Sequence, residues 1–417
     1  MGSSVRSGTW SRFAALVSLL ALVVFAAACG SDSGGGGGES DGKVTIGASL
    51  PLTGEFSQPG KAAQQGYEVW VDQVNADGGL NGEEVELIVK DDASDQNTVV
   101  ADYNALIQRD QVDLLLGTFS SLLNLPASAA AERNRMLYIE PAGGAPEIFE
   151  RDFQYGPFFT QQATAEKQGD LFAEYILSLP AEEQPQSVAY ATLDDPFTVP
   201  VVEKLKATFE DAGIETVYDE VYPASTSNFD TIASEATQDS PDLVVNGSQF
   251  DDGIGFSRSL EKVGFDPPIL FQTNAPSFGS QYADGIGEEN TDEVFFAISH
   301  VPDAETPGNE EFVKAYQDKF DGEDPPEDAA DAYAAGQVLQ AAVEGVGATD
   351  DQLALADWLR ENEVETILGP LQWEDSGAPI GEFLIGQWQD GQAEIVLPPD
   401  AATSDEIIID GQARPVE

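Results

Sequence analysis

Residues 112–141 read VDLLLGTFSSLLNLPASAAAERNRMLYIEP. Val112 to Leu116 is a short apolar run of strand length. Gly117-Thr118-Phe119 interrupts it, and Ser120 or Ser121 can then cap a helix. Ser121 to Arg133 is rich in Ala and Leu, good helix formers. Met136 to Ile139 is a second apolar strand. Two strands joined by a helix run parallel, so this stretch predicts a βαβ unit in a sheet covered on both faces.

The same alternation extends in both directions. Val44 to Leu50 and Val85 to Val89 read as strands. Between them, Gly60 to Asn75 places Ala63, Tyr67, Trp70, Val71 and Val74 at helical spacing. Asn97 to Arg109 is a further helix. Downstream, helices over Ala165–Leu179, Val199–Ala212, Phe229–Thr237 and Ile254–Val263 alternate with strands at Ser187–Ala191, Thr216–Val221, Leu243–Val245 and Ile269–Phe271. A strand at Val294–Ala297, helices at Glu310–Phe320 and Asp328–Val346, and strands at Thr366–Trp373 and Gly381–Trp388 complete the pattern. The tail after Leu397 is expected to pack poorly. The fold class is therefore α/β, with two doubly wound parallel-sheet lobes, a count that suits 417 residues.

Charge narrows the function. Eighteen Lys and Arg face 75 Asp and Glu, a net charge of −57. Such a surface repels phosphate, so no nucleic acid partner is expected. Self-repulsion on this scale is costly at low ionic strength and screened at high salt, which fits a saline habitat. One Cys rules out an internal disulfide, and one His, His300, rules out zinc sites built on several histidines. No metal or cofactor is expected. There is no G-x-S-x-G elbow, no GxGxxG and no Walker A motif, so an enzyme is not expected either.

The first 28 residues read as a secretory signal: Arg6 and Arg12, then an apolar run from Phe13 to Ala28 that is short for a membrane span. It ends Ala26-Ala27-Ala28-Cys29-Gly30, which resembles a bacterial lipobox and implies lipidation at Cys29. Residues 29–42, with five glycines from Gly34 to Gly38, form a flexible tether. The expected location is the outer face of the cell membrane, held by the lipid.

Ligands in open parallel sheets bind beyond the carboxyl ends of strands. Two such ends stand out. Gly117 to Ser121 opens a helix whose free N–H groups suit an anion, and Pro141-Ala142-Gly143-Gly144-Ala145-Pro146 permits close backbone approach. Either loop can equally be a plain turn and cap.

The segments Leu50–Gly54, Asn75–Gly82, Asp91–Asp95, Gly117–Pro126, Pro141–Glu147 and Gly369–Trp373 occur in an order that resembles the branched-chain amino acid binding proteins of ABC importers. These are type I periplasmic binding proteins. The resemblance spans Lys43 to about Ile395. It implies two lobes joined by three crossovers, near Thr160–Ala165, Ser299–Pro302 and Thr366–Gly369. Lobe 1 is then 43–163 plus 301–368, lobe 2 is 164–300 plus 369–400, and 401–417 is the tail. It also implies a monomer that closes on a small-molecule ligand and delivers it to the membrane subunits of an ABC permease. A sensory receptor protein of the same fold is the alternative.

By the same resemblance, Ser121 matches the serine that binds the ligand carboxylate. Ala142-Gly143-Gly144 matches the turn that receives the ammonium, with Gly144 where the family has Thr. Phe197 matches a Tyr that closes over the ligand, and a second closing Tyr falls within Ser248–Phe250. Asn274 matches the family's acidic ammonium partner and is neutral, and Pro59 matches a first-lobe Tyr. Asp194, Asp195, Asp251 or Asp252 could supply the missing charge. Phe56, Phe119 and Phe250 could line an apolar pocket.

Overall fold

Val44, Ile46, Ala48 and Leu50 are buried on one face of β1 (Lys43–Leu50), and Gly47 and Ser49 are buried on the other, so most of the strand is covered on both faces, as a central parallel strand must be. The computed structural model describes residues 42–416. The expected signal peptide, Cys29 and the tether up to residue 41 lie outside the described residues.

In the first lobe β1 is followed by α1 (Ser57–Ala76), β2 (Glu84–Asp91), α2 (Gln96–Gln108), β3 (Leu114–Leu115), α3 (Ser121–Asn134), β4 (Ile139–Glu140), α4 (Pro146–Phe149) and β5 (Phe158–Phe159). β1 pairs in parallel with both β2 and β3, and β4 pairs in parallel with β5. A parallel bridge from Leu116 to Ile139 joins the two groups, giving the order β2-β1-β3-β4-β5.

The second lobe begins with α5 (Asp170–Ser178), β6 (Ser187–Leu193), α6 (Thr198–Asp211), β7 (Glu215–Tyr222), α7 (Asp230–Ala236), β8 (Leu243–Gly247), α8 (Phe250–Val263), β9 (Ile269–Gln272), α9 (Ser280–Ile286) and β10 (Val294–Ile298). The chain then returns to the first lobe with α10 (Asn309–Lys319), α11 (Glu327–Val346), α12 (Gln352–Glu361), β11 (Val364–Thr366) and β12 (Gly369–Leu371). It ends in the second lobe with β13 (Leu384–Gln389), β14 (Gln392–Leu397), β15 (Glu406–Ile409) and β16 (Gln412–Pro415). The second sheet has the order β14-β13-β10-β9-β8-β6-β7. It is parallel except at one edge, where β13 runs antiparallel to β10 and β14 antiparallel to β13.

Each lobe has its own core. In the first, α1 presents Ala63, Tyr67, Trp70 and Val74 to α11. The helices approach so closely that a Cβ on Gly66 would lie 2.0 Å from the Ala329 carbonyl oxygen. In the second, Phe172 stacks on Phe271 at 4.7 Å and leans on Phe295 at 5.2 Å.

Two expectations need correction. The tail after Leu397 is not loose: Ile407 and Ile409 are buried in the second core. The Gln387 side chain clamps Ile408, accepting from its N–H at 2.9 Å and donating to its carbonyl. The third crossover is not at Thr366–Gly369, which is instead the turn of the β11–β12 hairpin. Leu371 and Trp373 stay in the first core because their apolar surface is buried there, and Trp373 Nε1 donates to the Phe159 carbonyl at 2.6 Å. The chain crosses later, where Phe383 packs with Ala163 of the first crossover and with Ala297 near the end of β10, just before the second.

Candidate functional site

The loop after β3 is held open by its own side chains. Asn124 Nδ2 donates to the carbonyls of Thr118, Ser120 and Ala142 at 2.9, 3.1 and 2.9 Å. Tyr138 Oη donates to Asn124 Oδ1 at 2.6 Å and fixes the amide. One buried residue thus ties the Gly117–Ser121 loop to the Pro141–Ala145 loop. Ser120, at φ 72° and ψ 145°, holds a backbone conformation that suits glycine and caps α3. The first N–H groups of α3, at Ser121 and Leu122, have no acceptor within the helix and form a positive end.

The Ser121 hydroxyl accepts from the Ala145 N–H at 3.0 Å, which leaves its proton free to donate. A Cβ on Gly143 would lie 2.3 Å from Glu140 Oε2. A larger residue there would have to displace the Glu140 carboxyl and the Asn124 amide. Glu140 is fully buried and neither carboxyl oxygen has a partner. Burial pushes its pKa well above the usual carboxylate range.

On the second lobe, Asn274 Nδ2 donates to Gln249 Oε1 at 2.8 Å. Gln249 Nε2 in turn reaches Asp195 Oδ1 at 3.4 Å, and Asp195 accepts from the Phe197 N–H at 2.8 Å. Phe197 therefore stands at the start of α6 on a short Asp-anchored turn.

Between the lobes lies an inner cavity of about 30 Å³. Ser121, Ala142, Gly143, Gly144, Phe197 and Asn274 all line it. The structure thus brings together all six residues singled out in the sequence. A water needs about 10–15 Å³, so an amino acid enters only if the lobes part. Through Phe119 and Gln249 the cavity adjoins a cleft of about 790 Å³. Pro59, Phe56 and Phe250 are in the wall of that outer cleft. Phe56 packs on Phe119 at 5.6 Å and Phe250 on Phe278 at 4.5 Å.

The proposed substitutes for the missing acid do not reach the inner cavity. Asp194 is exposed, Asp195 is bound to Phe197 and Gln249, and Asp251 and Asp252 face the outer cleft. Two other acids do: Glu327 and Asp328, from the first turn of α11. They follow Pro325-Pro326 and read in the sequence as an ordinary acidic helix start. Gln249, within the Ser248–Phe250 stretch matched to the second closing Tyr, also lines the cavity, as do Gln161, Gln168 and Thr273, which carried no sequence signal. His300 lies elsewhere, buried, with Nε2 2.7 Å from Asn309 Oδ1. Among the described residues no group of three or more His, Cys, Asp or Glu side chains is placed to hold a metal ion. No described helix is long and apolar enough to cross a membrane.

Two α/β lobes, three crossovers and a cavity between strand ends define a periplasmic binding protein of type I. The sequence model of the periplasmic binding protein family matches residues 43–393, and the chain belongs to that family of non-enzymatic solute-binding proteins. It is 26 % identical over 371 residues to the Leu/Ile/Val-binding protein homolog 8 of Brucella abortus, covering 86 % of this chain and 91 % of that one. It is 25 % identical to an amino acid binding protein of Pseudomonas aeruginosa over 83 % of this chain and 90 % of that one. Among solved structures, the leucine binding protein LivK of Thermotoga maritima superposes with a TM-score of 0.74 at 21 % identity, over 84 % and 97 % of the two chains. A solute-binding protein from R. palustris in complex with benzoate gives 0.73 at 20 % identity, over 89 % and 99 %.

Proposed function

We propose that this chain is an extracytoplasmic solute-binding lipoprotein, anchored through Cys29, that captures a small amino acid-like, amide or carboxylate ligand between its lobes. It then delivers that ligand to an ABC-type permease. The observation that carries this reading is the inner cavity, whose walls come from both lobes. Ser121 and the end of α3 offer hydrogen-bond donors to a carboxylate, and Phe197 and Asn274 face them from the second lobe. A ligand touching both lobes binds the closed form better than the open one and so shifts the population toward closure. The permease can read the closed shape as a sign of loading. Relatives described as amino acid binding proteins, and a fold neighbour holding benzoate, support the ligand class. We also read the charge of −57 as an adaptation to saline surroundings.

Three experiments test this. A thermal-shift panel of amino acids, amides and small carboxylates should yield a ligand that lowers the radius of gyration in small-angle scattering. Ser121→Ala should weaken a carboxylate ligand by about 1.5–3 kcal/mol, the value of a hydrogen bond to a charged group. An unchanged radius and unchanged affinity would misplace the site. Fatty-acid labelling should tag the wild type and not Cys29→Ala, and an unlabelled wild type in a lipoprotein-processing host would remove the anchor.

A further inference from the structure

The first two turns of α11 bring three acids, Glu327, Asp328 and Asp331, to the place where the crossovers meet the cavity. Two of them are occupied. Glu327 accepts from the Ser299 N–H at 2.5 Å. Asp331 accepts from Ser299 Oγ at 2.6 Å and from Gln161. These bonds join α11 to the first and second crossovers. Asp328 is different. It is 7 % exposed and lines the inner cavity, and its carboxylate accepts only from its own backbone N–H.

A second side chain in the same cavity has an acceptor with no donor at all. Gln168, from the segment that enters the second lobe, is 5 % exposed, and its Oε1 has no donor. A buried acceptor without a donor costs roughly 1–3 kcal/mol, so such groups are retained where something else supplies the hydrogen. No Lys, Arg or His lines this cavity. The cavity therefore has a donor end, at Ser121 and the start of α3, and an acceptor end, at Asp328 and Gln168.

Resting on the ligand class proposed above, we infer that Asp328 and Gln168 form the cation-receiving pole of the inner cavity, in place of the neutral Asn274. A ligand that fits both ends carries a carboxylate and a cationic nitrogen. Asp328 also faces the positive end of its own helix, which accounts for an acid there without any ligand. That structural role predicts lower stability on substitution but no change in ligand preference.

The test uses the full chain and paired probes: leucine with 4-methylpentanoate, phenylalanine with 3-phenylpropanoate, and benzoate alone. Calorimetric titration should show at least one amino acid binding more tightly than its nitrogen-free partner by about tenfold or more. Asp328→Asn should abolish that preference, and Gln168→Met should reduce it, the second variant serving where the first melts early. If a nitrogen-free acid binds as tightly as the amino acid, or Asp328→Asn keeps the preference, the cationic pole is overturned while the interlobe carboxylate site stands. If no probe binds the wild type, the ligand class fails and this inference fails with it.

Discussion

Asp252 occupies the wall of the outer cleft, where Tyr222 Oη donates to it at 2.6 Å and the Gln249 N–H at 2.9 Å. Burial outweighs these donors and raises its pKa to about 7. The folded value lies above the unfolded one, so the folded state binds the extra proton. Its stabilising contribution is fully present below about pH 4 and is lost as pH rises through about 7. Asp92, raised to about 6, acts in the same direction. His300 opposes them: burial lowers it to about 4, so its contribution is lost as pH falls from about 6.5 toward 4. Comparing variants isolates Asp252. The wild-type melting temperature should drop between about pH 5 and 8 relative to that of Asp252→Asn, because the amide stays neutral throughout. Parallel curves would show that Asp252 does not titrate in this range.

At the scale of elements, legibility followed burial. β1 and α1 were readable because their apolar periods match surfaces that the fold does bury: Val44, Ile46 and Ala48 in one, Tyr67, Trp70 and Val74 in the other. What was missed was local turn chemistry. Asp390-Gly391 and Asp410-Gly411 are two-residue turns with positive φ at both positions, 50° and 79° in the first, 51° and 67° in the second. Asp-Gly between alternating apolar residues signals a hairpin, and it marks both β13–β14 and β15–β16. Helix α12 also carried a signal, the Asp351 side chain accepting from the Ala354 N–H at 3.2 Å. The six site residues were placed through resemblance, since strand-end loops alone do not distinguish a site from a turn. Asp328 escaped because its meaning is tertiary. Nothing local says that the first turn of a helix more than 100 residues away in sequence faces Ser121.

Across the whole molecule, the net charge of −57 acts on every folded form, and the lobe interface adds a local share. Glu55, in the loop after β1, has its pKa raised by burial and by Asp195 and Asp251 across the cleft. Like charges on facing walls oppose closure, while twelve ion pairs among the described residues are mostly at the surface and individually weak. Salt weakens both repulsions. The Debye length falls from about 10 Å at 0.1 M to about 3 Å at 1 M and changes little beyond. The melting temperature of the chain from Gly42 should therefore rise with NaCl by on the order of 5 °C or more, and most of the rise should come below about 1 M. A kosmotropic effect on buried apolar surface would instead grow steadily with concentration. Glu55→Gln should take away part of the low-salt rise, because it removes one of the facing charges. A flat or falling salt curve would show that these charges are already tolerated at low ionic strength, and the saline reading of the composition would be abandoned.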